Sequence, residues 1–97
     1  MLNRLMDEIE IVDRHLRLLT LVREKGPIGI IKLSEITGLP HHKIRYSLRV
    51  LEEEGLIKPS KEGAITTPKT EDFINRLRNI LEEMLKKLEG IYGDMPR

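Results

Sequence analysis

The residues best suited to a chemical role lie between His41 and Arg49, where basic, titratable and aromatic side chains share one face of an expected helix. The members of this face, which we call the basic face, are His41, His42, Lys43, Arg45, Tyr46 and Arg49. No acidic residue occurs from Ile36 to Leu51. A cationic face that contains an aromatic side chain and no carboxylate suits a polyanion such as a nucleic acid.

Side-chain geometry predicts a role for each member of the basic face. Arg45 carries a fork of donors that matches guanine in the major groove, a contact worth about 1–3 kcal/mol of discrimination. Tyr46 and the two histidines have polar groups that reach a base or a phosphate. Lys43 and Arg49 are assigned to phosphates. The basic face is therefore expected to bind double-stranded DNA.

An ordinary solvated helix face is the competing interpretation. In a chain with 34% charged residues, stretches without acids also arise by chance. Arg49 would then pair with Glu52 or Glu53, which follow at helical spacing.

Catalytic and metal-binding patterns are missing from the sequence. Side chains of adjacent helical residues diverge by about 100°, so His41 and His42 cannot hold one metal ion together. The chain has no cysteine, which excludes disulfides and thiolate metal sites. No nucleophile elbow, phosphate loop or HExxH spacing is present. We expect no enzymatic activity, no metal and no cofactor.

The basic face requires a helix that starts near Pro40 and ends at Gly55. Proline suits the first positions of a helix because its missing N–H is not needed there, and glycine is a common helix stop. Apolar residues recur with helical spacing between these limits. The expected buried side of this helix is Ile44, Leu48 and Leu51.

A short helix is expected before it, from Ile31 to Thr37. Gly38 ends this helix in a turn where glycine adopts a left-handed conformation most easily. Ser34 lies four residues earlier, and its small side chain permits two helices to cross closely. The apolar piece from Ile28 to Ile30 is either a brief strand or the entry to the helix.

The chain starts with a long helix from Leu2 to Lys25. Its apolar residues are spaced alternately by three and four, a heptad pattern. At 1.5 Å per residue the helix is about 36 Å long, more than a small core needs, so part of it is expected to project. A break near Asp13, with Asp13 as the N-cap of a second helix, is the alternative. Gly26-Pro27 ends the pattern.

Two short β-type runs, 56–58 and 64–66, predict a small hairpin. Pro59 follows the first run and would remove a ladder hydrogen bond in a central strand, so both strands are expected to be edge strands. Lysines in and after the hairpin are assigned to the DNA backbone or minor groove, although lysines on strand edges also prevent aggregation. These residues are Lys58, Lys61 and Lys69.

A last helix is expected from a threonine cap at Thr67 or Thr70 to about Ile91. Its apolar stripe is wider than a small core requires. We therefore predict that the terminal helices, 1–25 and 70–91, pack across a two-fold axis in a homodimer, although the two helices could instead cover each other in a monomer. The predicted interface residues are Leu5, Ile9, Val12, Leu77, Ile80, Leu81, Met84, Leu85 and Leu88.

The composition limits the class of protein. A chain of 97 residues forms one domain, 1–97, and the pattern of elements predicts a mainly α fold with a small β-hairpin. The formal net charge is +1, so basic charge is local rather than general. No apolar run has the length of a membrane span or signal segment, and a cytoplasmic protein is expected.

The order of elements resembles the winged helix-turn-helix domain of bacterial and archaeal transcription regulators. The stretch from Gly38 to Ile57 is similar to the recognition helix of the multiple-antibiotic-resistance and arsenical-resistance repressor types, including the acidic run, glycine and two apolar residues at its end. Residues 67–69 resemble the step from the wing to a dimerising helix, with Thr70 where the family usually has glycine. The resemblance covers about residues 13–77. The composition, with few aromatic residues, abundant Glu, Lys, Ile and Leu and no cysteine, also resembles that of thermophile proteins. Among the bacterial and archaeal sources of such regulators, an archaeal one is expected.

The resemblance implies a homodimeric, sequence-specific transcription regulator. The recognition helix would enter the major groove, the wing would follow the adjacent backbone or minor groove, and two copies would read half-sites about 34 Å apart. A winged-helix protein–protein interaction module of a larger assembly is the main alternative. A non-specific nucleic-acid architectural protein relies on many phosphate contacts, which a net charge of +1 disfavours. Whether a small-molecule effector binds is left open, and the seam between the terminal helices is its expected binding site.

Overall fold

The computed structural model describes residues 1–97 and contains four helices and one two-stranded sheet. None of the helices combines the length and the apolar character needed to cross a lipid bilayer. The mainly α class with a small hairpin and long terminal helices is confirmed. In chain order the elements are α1 (Leu2–Lys25), α2 (Ile30–Thr37), α3 (His41–Glu53), β1 (Ile57–Ser60), β2 (Gly63–Thr66) and α4 (Thr70–Gly93).

The turn between α2 and α3 forms at the predicted glycine. Gly38 has a φ of 73°, in the left-handed region that glycine adopts without steric cost. Ser34 Oγ donates to the carbonyl of Leu39 at 2.8 Å, and the N–H of Leu39 donates to Thr37 Oγ1 at 3.1 Å. Pro40 precedes α3 rather than lying in its first turn, because its ψ of 152° is extended.

The buried side of α3 differs from the expected one at a single position. Ile44 and Leu51 are buried as predicted, but Leu48 is half-buried against the core. Ser47 is fully buried instead. The reason is that α1 crosses α3 beside Ser47, which turns the buried stripe toward α1.

The helix α1 is continuous, so the alternative of a break at Asp13 is wrong. Every residue from Met1 to Asp13 is exposed, whereas Leu18, Leu19 and Val22 are buried. The core holds nine buried apolar residues, contributed by the second half of α1, by Ile28, by α2 and α3, and by the start of the hairpin. The first half of α1 therefore projects beyond the core, as its length predicts.

The last helix, α4, is divided in the same way. Thr70 is buried, Phe73, Ile74 and Leu77 are half-buried, and every residue from Arg78 onward is exposed. The molecule measures 55 × 28 × 20 Å, and its radius of gyration is 15.7 Å. A compact domain of this length would have a radius of about 12.5 Å. The projecting halves of α1 and α4 account for this elongation.

The hairpin of β1 and β2 has three paired segments rather than two. Pro59 of β1 lies opposite Ala64 of β2. The N–H and the carbonyl of Ala64 both bond to Ile28, at 2.8 and 3.1 Å, so the missing N–H of Pro59 removes no ladder bond. Ile28 thus forms a one-residue β-bridge and Ile30 starts α2. The segment therefore contains both the strand-like piece and the helix entry that were predicted as alternatives. The expectation that both strands are edges is wrong for β2, which lies between β1 and Ile28.

Threonines connect the start of α4 to the end of α3, and Thr67 Oγ1 also accepts the N–H of Lys69 at 3.2 Å in the turn that precedes the helix. Thr70 Oγ1 donates to the carbonyl of Leu56 at 2.7 Å and accepts the N–H of Thr67 at 3.2 Å. Thr67 Oγ1 donates to the carbonyl of Gly55 at 2.6 Å. Because Thr70 is buried, these bonds fix α4 on the domain. At its other end α4 continues through Gly90, since one glycine costs a helix only about 1 kcal/mol.

Replacing the buried hydroxyl at position 70 is expected to destabilise the domain. Thr70→Val keeps the shape of the side chain but leaves the N–H of Thr67 and the carbonyl of Leu56 each with one bond fewer. The free energy of unfolding should fall by about 1–3 kcal/mol. Urea unfolding at fixed protein concentration, followed by circular dichroism, measures this loss.

Thr20→Val is the matched control. The hydroxyl of Thr20 is exposed and bonds to the carbonyl of Leu16 within its own helix. Its removal should change stability by no more than about 0.5 kcal/mol. Equal effects of the two substitutions would contradict the role assigned to Thr70.

Candidate nucleic-acid interface

The basic face is exposed along the whole of its length. Ile44, Ser47 and Leu51 hold α3 against the domain, and the helical period turns the six residues of the basic face outward; all six are exposed. The first turn of α3 contains no acid and has no side-chain cap. Its free N–H groups add partial positive charge beside His41 and His42.

Tyr46 lies at the centre of a group of nitrogen-bearing side chains. The guanidinium carbons of Arg14 and Arg49 each lie 5.8 Å from the centroid of its ring, within the range of a cation–π interaction. The imidazole centroid of His15 is also 5.8 Å away, with the rings tilted by 43°. The ring of Tyr46 therefore connects the basic face of α3 to the middle of α1.

Beneath Tyr46, the hydroxyl of Ser47 joins α3 to α1. Arg14 Nε donates to Ser47 Oγ at 2.9 Å, and His15 Nδ1 lies 2.7 Å from the same oxygen. A neutral His15 with its proton on Nε2 accepts the hydroxyl proton at Nδ1, whereas a doubly protonated ring has no lone pair to accept it. Burial lowers the pKa of His15 below its usual range, and the positive charge of Arg14 lowers it further.

Arg49 does not form the ion pair that the solvated-face interpretation requires. The protein has three ion pairs, Arg23–Glu71, Lys32–Glu35 and Arg76–Asp72. Glu52 and Glu53 are exposed and do not contact the guanidinium of Arg49, which lies at Tyr46 instead. The face of α3 is therefore basic up to Arg49 and acidic beyond it.

A broad surface groove of about 920 Å³ follows the outer side of α3. Its lining combines four residues of the basic face with the start of α2 and the acidic end of α3. These residues are Ile30, His42, Arg45, Tyr46, Leu48, Arg49, Glu52 and Glu53.

The three lysines in and after the hairpin lie in different surroundings. Lys58 is exposed on β1, and Lys61 is exposed in the turn between the strands. Lys69 follows the hairpin and lies over Gly55. If residue 55 carried a Cβ atom, Lys69 Nζ would lie 3.5 Å from it. A cation at the C-terminal end of α3 interacts favourably with the helix dipole. The structure thus separates Lys69 from the start of the basic face.

The residues predicted to form a dimer interface are accessible. Leu77 is half-buried and the other eight are exposed. The terminal helices do not cover each other, because a groove of about 470 Å³ separates them. The groove is lined by Leu16, Leu19, Thr20, Arg23, Ile74, Leu77, Arg78, Leu81, Glu82 and Leu85.

One ion pair spans this groove near the start of α4. Arg23 donates to both carboxylate oxygens of Glu71, at 2.5 and 3.1 Å. The hydrogen bond from Arg23, with its charge, lowers the pKa of Glu71. Both side chains are exposed, so the pair orients the helices more than it stabilises them. No group of histidine and carboxylate side chains is arranged to hold a metal ion.

Sequence reasoning missed Arg14, His15 and Ser47. A signal for Ser47 was present, because it lies three residues after Ile44 and four before Leu51, on the buried side of the helix. Arg14 and His15 gave no comparable signal, since their partner is more than thirty residues away in the chain.

Comparisons with known proteins agree with this geometry. Residues 13–58 match the family of winged helix-turn-helix DNA-binding domains. Among solved structures, the chain is similar to the activation domain of the phage T4 transcription factor MotA, with 22% sequence identity and a TM-score of 0.60. The similarity covers 76% of this chain and 80% of that one, and it shows the fold. No curated protein matches the chain.

The Ser47 network predicts that the stability of the domain depends on pH. The unfolded chain takes up a proton at His15 near pH 6.5, whereas the folded state resists protonation until a lower pH. Stability from this group is therefore complete above pH 6.5 and is lost as the pH falls. Melting temperatures between pH 7.5 and pH 5.5 measure the loss.

His15→Gln should flatten this dependence, because an amide binds the serine hydroxyl without titrating. His42→Gln, at an exposed position outside the network, is the control and should leave the dependence as in the wild type. A profile that His15→Gln does not alter would show that His15 carries none of the effect.

Proposed function

We propose that this winged helix-turn-helix protein is a sequence-specific DNA-binding transcription regulator that acts as a homodimer. One observation carries the proposal: α3 exposes the whole basic face, and none of its cations is paired with a carboxylate. Such a face gains most from a partner that supplies many negative charges in a row. The family match over residues 13–58 supports DNA as that partner.

In the proposed complex α3 lies in the major groove of DNA. The groove is about 12 Å wide and admits a helix. The segment from His41 to Arg49 is about 12 Å long at 1.5 Å per residue, enough to cross several base edges. Phosphates repel the acidic run that follows, which favours entry by the N-terminal part of α3. Arg45 then faces bases, while Lys43 and Arg49 face phosphates.

The hairpin is the wing of the proposed complex. Lys61 lies in its turn and Lys58 on its outer strand, both exposed. The bridge between Ala64 and Ile28 holds the hairpin to the domain, so its turn keeps a fixed direction. We assign these two lysines to the backbone or minor groove beside the site of α3.

A second copy of the chain is the proposed cover of the terminal helices. Arg23 meets Glu71 at one end of their groove, while Leu16 and Leu85 line it further along. The helices therefore run antiparallel, and their free halves extend on the same side of the domain. Leucines are half exposed there, with Leu5 at 51% and Leu85 at 58%. Contiguous apolar surface of this kind marks interaction sites, and burying it contributes about 25 cal/mol per Å².

Replacing Arg45 tests the sequence-reading role of α3. Arg45→Ala should reduce the preference for a selected duplex over a scrambled one by about ten- to a hundredfold, because the fork that recognises guanine is lost. Fluorescence anisotropy with both duplexes measures this ratio. Lys86→Ala removes an exposed cation from α4 and should leave the ratio unchanged. A wild-type protein that binds no duplex at moderate salt would instead favour a protein-interaction module.

A charged residue in the exposed stripe of α4 tests the homodimer. Leu85→Glu should raise the dimer dissociation constant more than about a hundredfold, because an unpaired carboxylate would be buried at the interface. Sedimentation equilibrium measures this constant. Asn79→Glu introduces the same charge on the opposite side of α4 and should leave it unchanged. A wild type that is monomeric at all concentrations would refute the homodimer.

A further inference from the structure

We infer that Arg14 of α1 is a phosphate-binding residue, which Ser47 and Tyr46 hold beside the basic face. This inference rests on the proposed function, because it adds a contact from a second helix to the same DNA complex. Three observations support it: the hydrogen bond of Arg14, the distance of Arg14 from Tyr46, and the absence of an ion pair between Arg14 and a carboxylate.

The guanidinium of Arg14 is held by one of its donors and keeps the others free. Nε donates to the buried Ser47 Oγ at 2.9 Å. A guanidinium has five N–H donors, and the four on its terminal nitrogens form no hydrogen bond within the protein. Holding Nε fixes the plane of the group, so the free donors are oriented before any ligand binds.

The surroundings of Arg14 offer a carboxylate that it does not use. Glu10 lies four residues earlier on the same helix, the order that best favours an ion pair. The pair is not formed, and the guanidinium lies at Tyr46 instead. Arg49 behaves in the same way toward Glu53. Two guanidiniums therefore gather at one ring without any counter-charge.

The spacing of these two groups fits a nucleic-acid strand. Both guanidinium carbons lie 5.8 Å from the centroid of Tyr46, so they are no more than about 12 Å apart. Charges on one DNA strand follow every 3.4 Å of helix axis. Arg14 and Arg49 are therefore close enough together to contact the same strand.

A phosphate contact through Arg14 connects DNA to α1, the helix whose exposed first half carries apolar residues. Val12 and Arg14 are less than one turn apart on α1. DNA binding through Arg14 would therefore help to position α1, the helix whose first half is proposed to contact the second copy.

The salt dependence of DNA affinity tests this inference. Arg14→Gln removes the charge and keeps an N–H donor for Ser47. We expect it to weaken binding to the selected duplex about tenfold at low salt and to reduce the slope of log K against log salt by about 0.9. Its preference for the selected over the scrambled duplex should equal that of the wild type, because phosphates carry no sequence information.

Two further variants complete the experiment. Arg4→Gln removes the same charge about 15 Å away along α1 and should keep the wild-type slope. Ser47→Ala keeps the charge of Arg14 but frees its Nε, and it should weaken binding severalfold at low salt. Melting temperatures of all variants, measured without DNA, confirm that each is folded under the binding conditions.

The outcomes separate this inference from the proposed function. Wild-type binding with an unchanged slope for Arg14→Gln would overturn the role of Arg14 and leave the role of α3 standing. Equal slope changes for Arg14→Gln and Arg4→Gln would also overturn it, because the effect would then reflect net charge alone. Failure of the wild type to bind any duplex would overturn both.

Discussion

A serine hydroxyl without exposed surface joins α1 to α3 in this protein. The side chain of Ser47 is small enough for the helices to approach each other, and its oxygen holds both Arg14 and His15. A larger residue would separate the helices, and an apolar one would leave a guanidinium and an imidazole without their partner. This crossing, together with the burial of Ile44 and Leu51, sets the direction of α3, the contacts of Tyr46 and the exposure of the basic face.

The small size of the core explains why the terminal helices project from it. Eleven of the 97 residues are buried, and nine of these are apolar. Short helices have only marginal stability in water without tertiary contacts, yet the exposed half of each terminal helix remains helical well past the core. Their free halves are supported because each continues a half that is packed. The exposed leucines on these halves are the surface that the proposed homodimer would bury.

Much of the architecture could be read from the sequence because its signals are local. Glycine at positions 38 and 55 ended the helices where the pattern places them, and heptad spacing identified α1 without its partners. The misplaced details depend on tertiary contacts. Thr70 looked like a helix cap because threonine often caps, whereas its hydroxyl is used by the carbonyl of Leu56. The importance of Arg14 was hidden for a related reason: in sequence it has acidic neighbours and resembles any solvated helix position.

The bridge between Ile28 and Ala64 has a consequence for how the wing can vary. A Cβ at Gly63, the first residue after the turn, would overlap the backbone of Ile28, so this position has no room for a side chain. The turn residues Lys61 and Glu62, in contrast, lie outside the paired strands and are exposed. Insertions at this tip would lengthen the hairpin without shifting its register. The length and charge of the tip can thus change while the bridge between Ile28 and Ala64 stays in place.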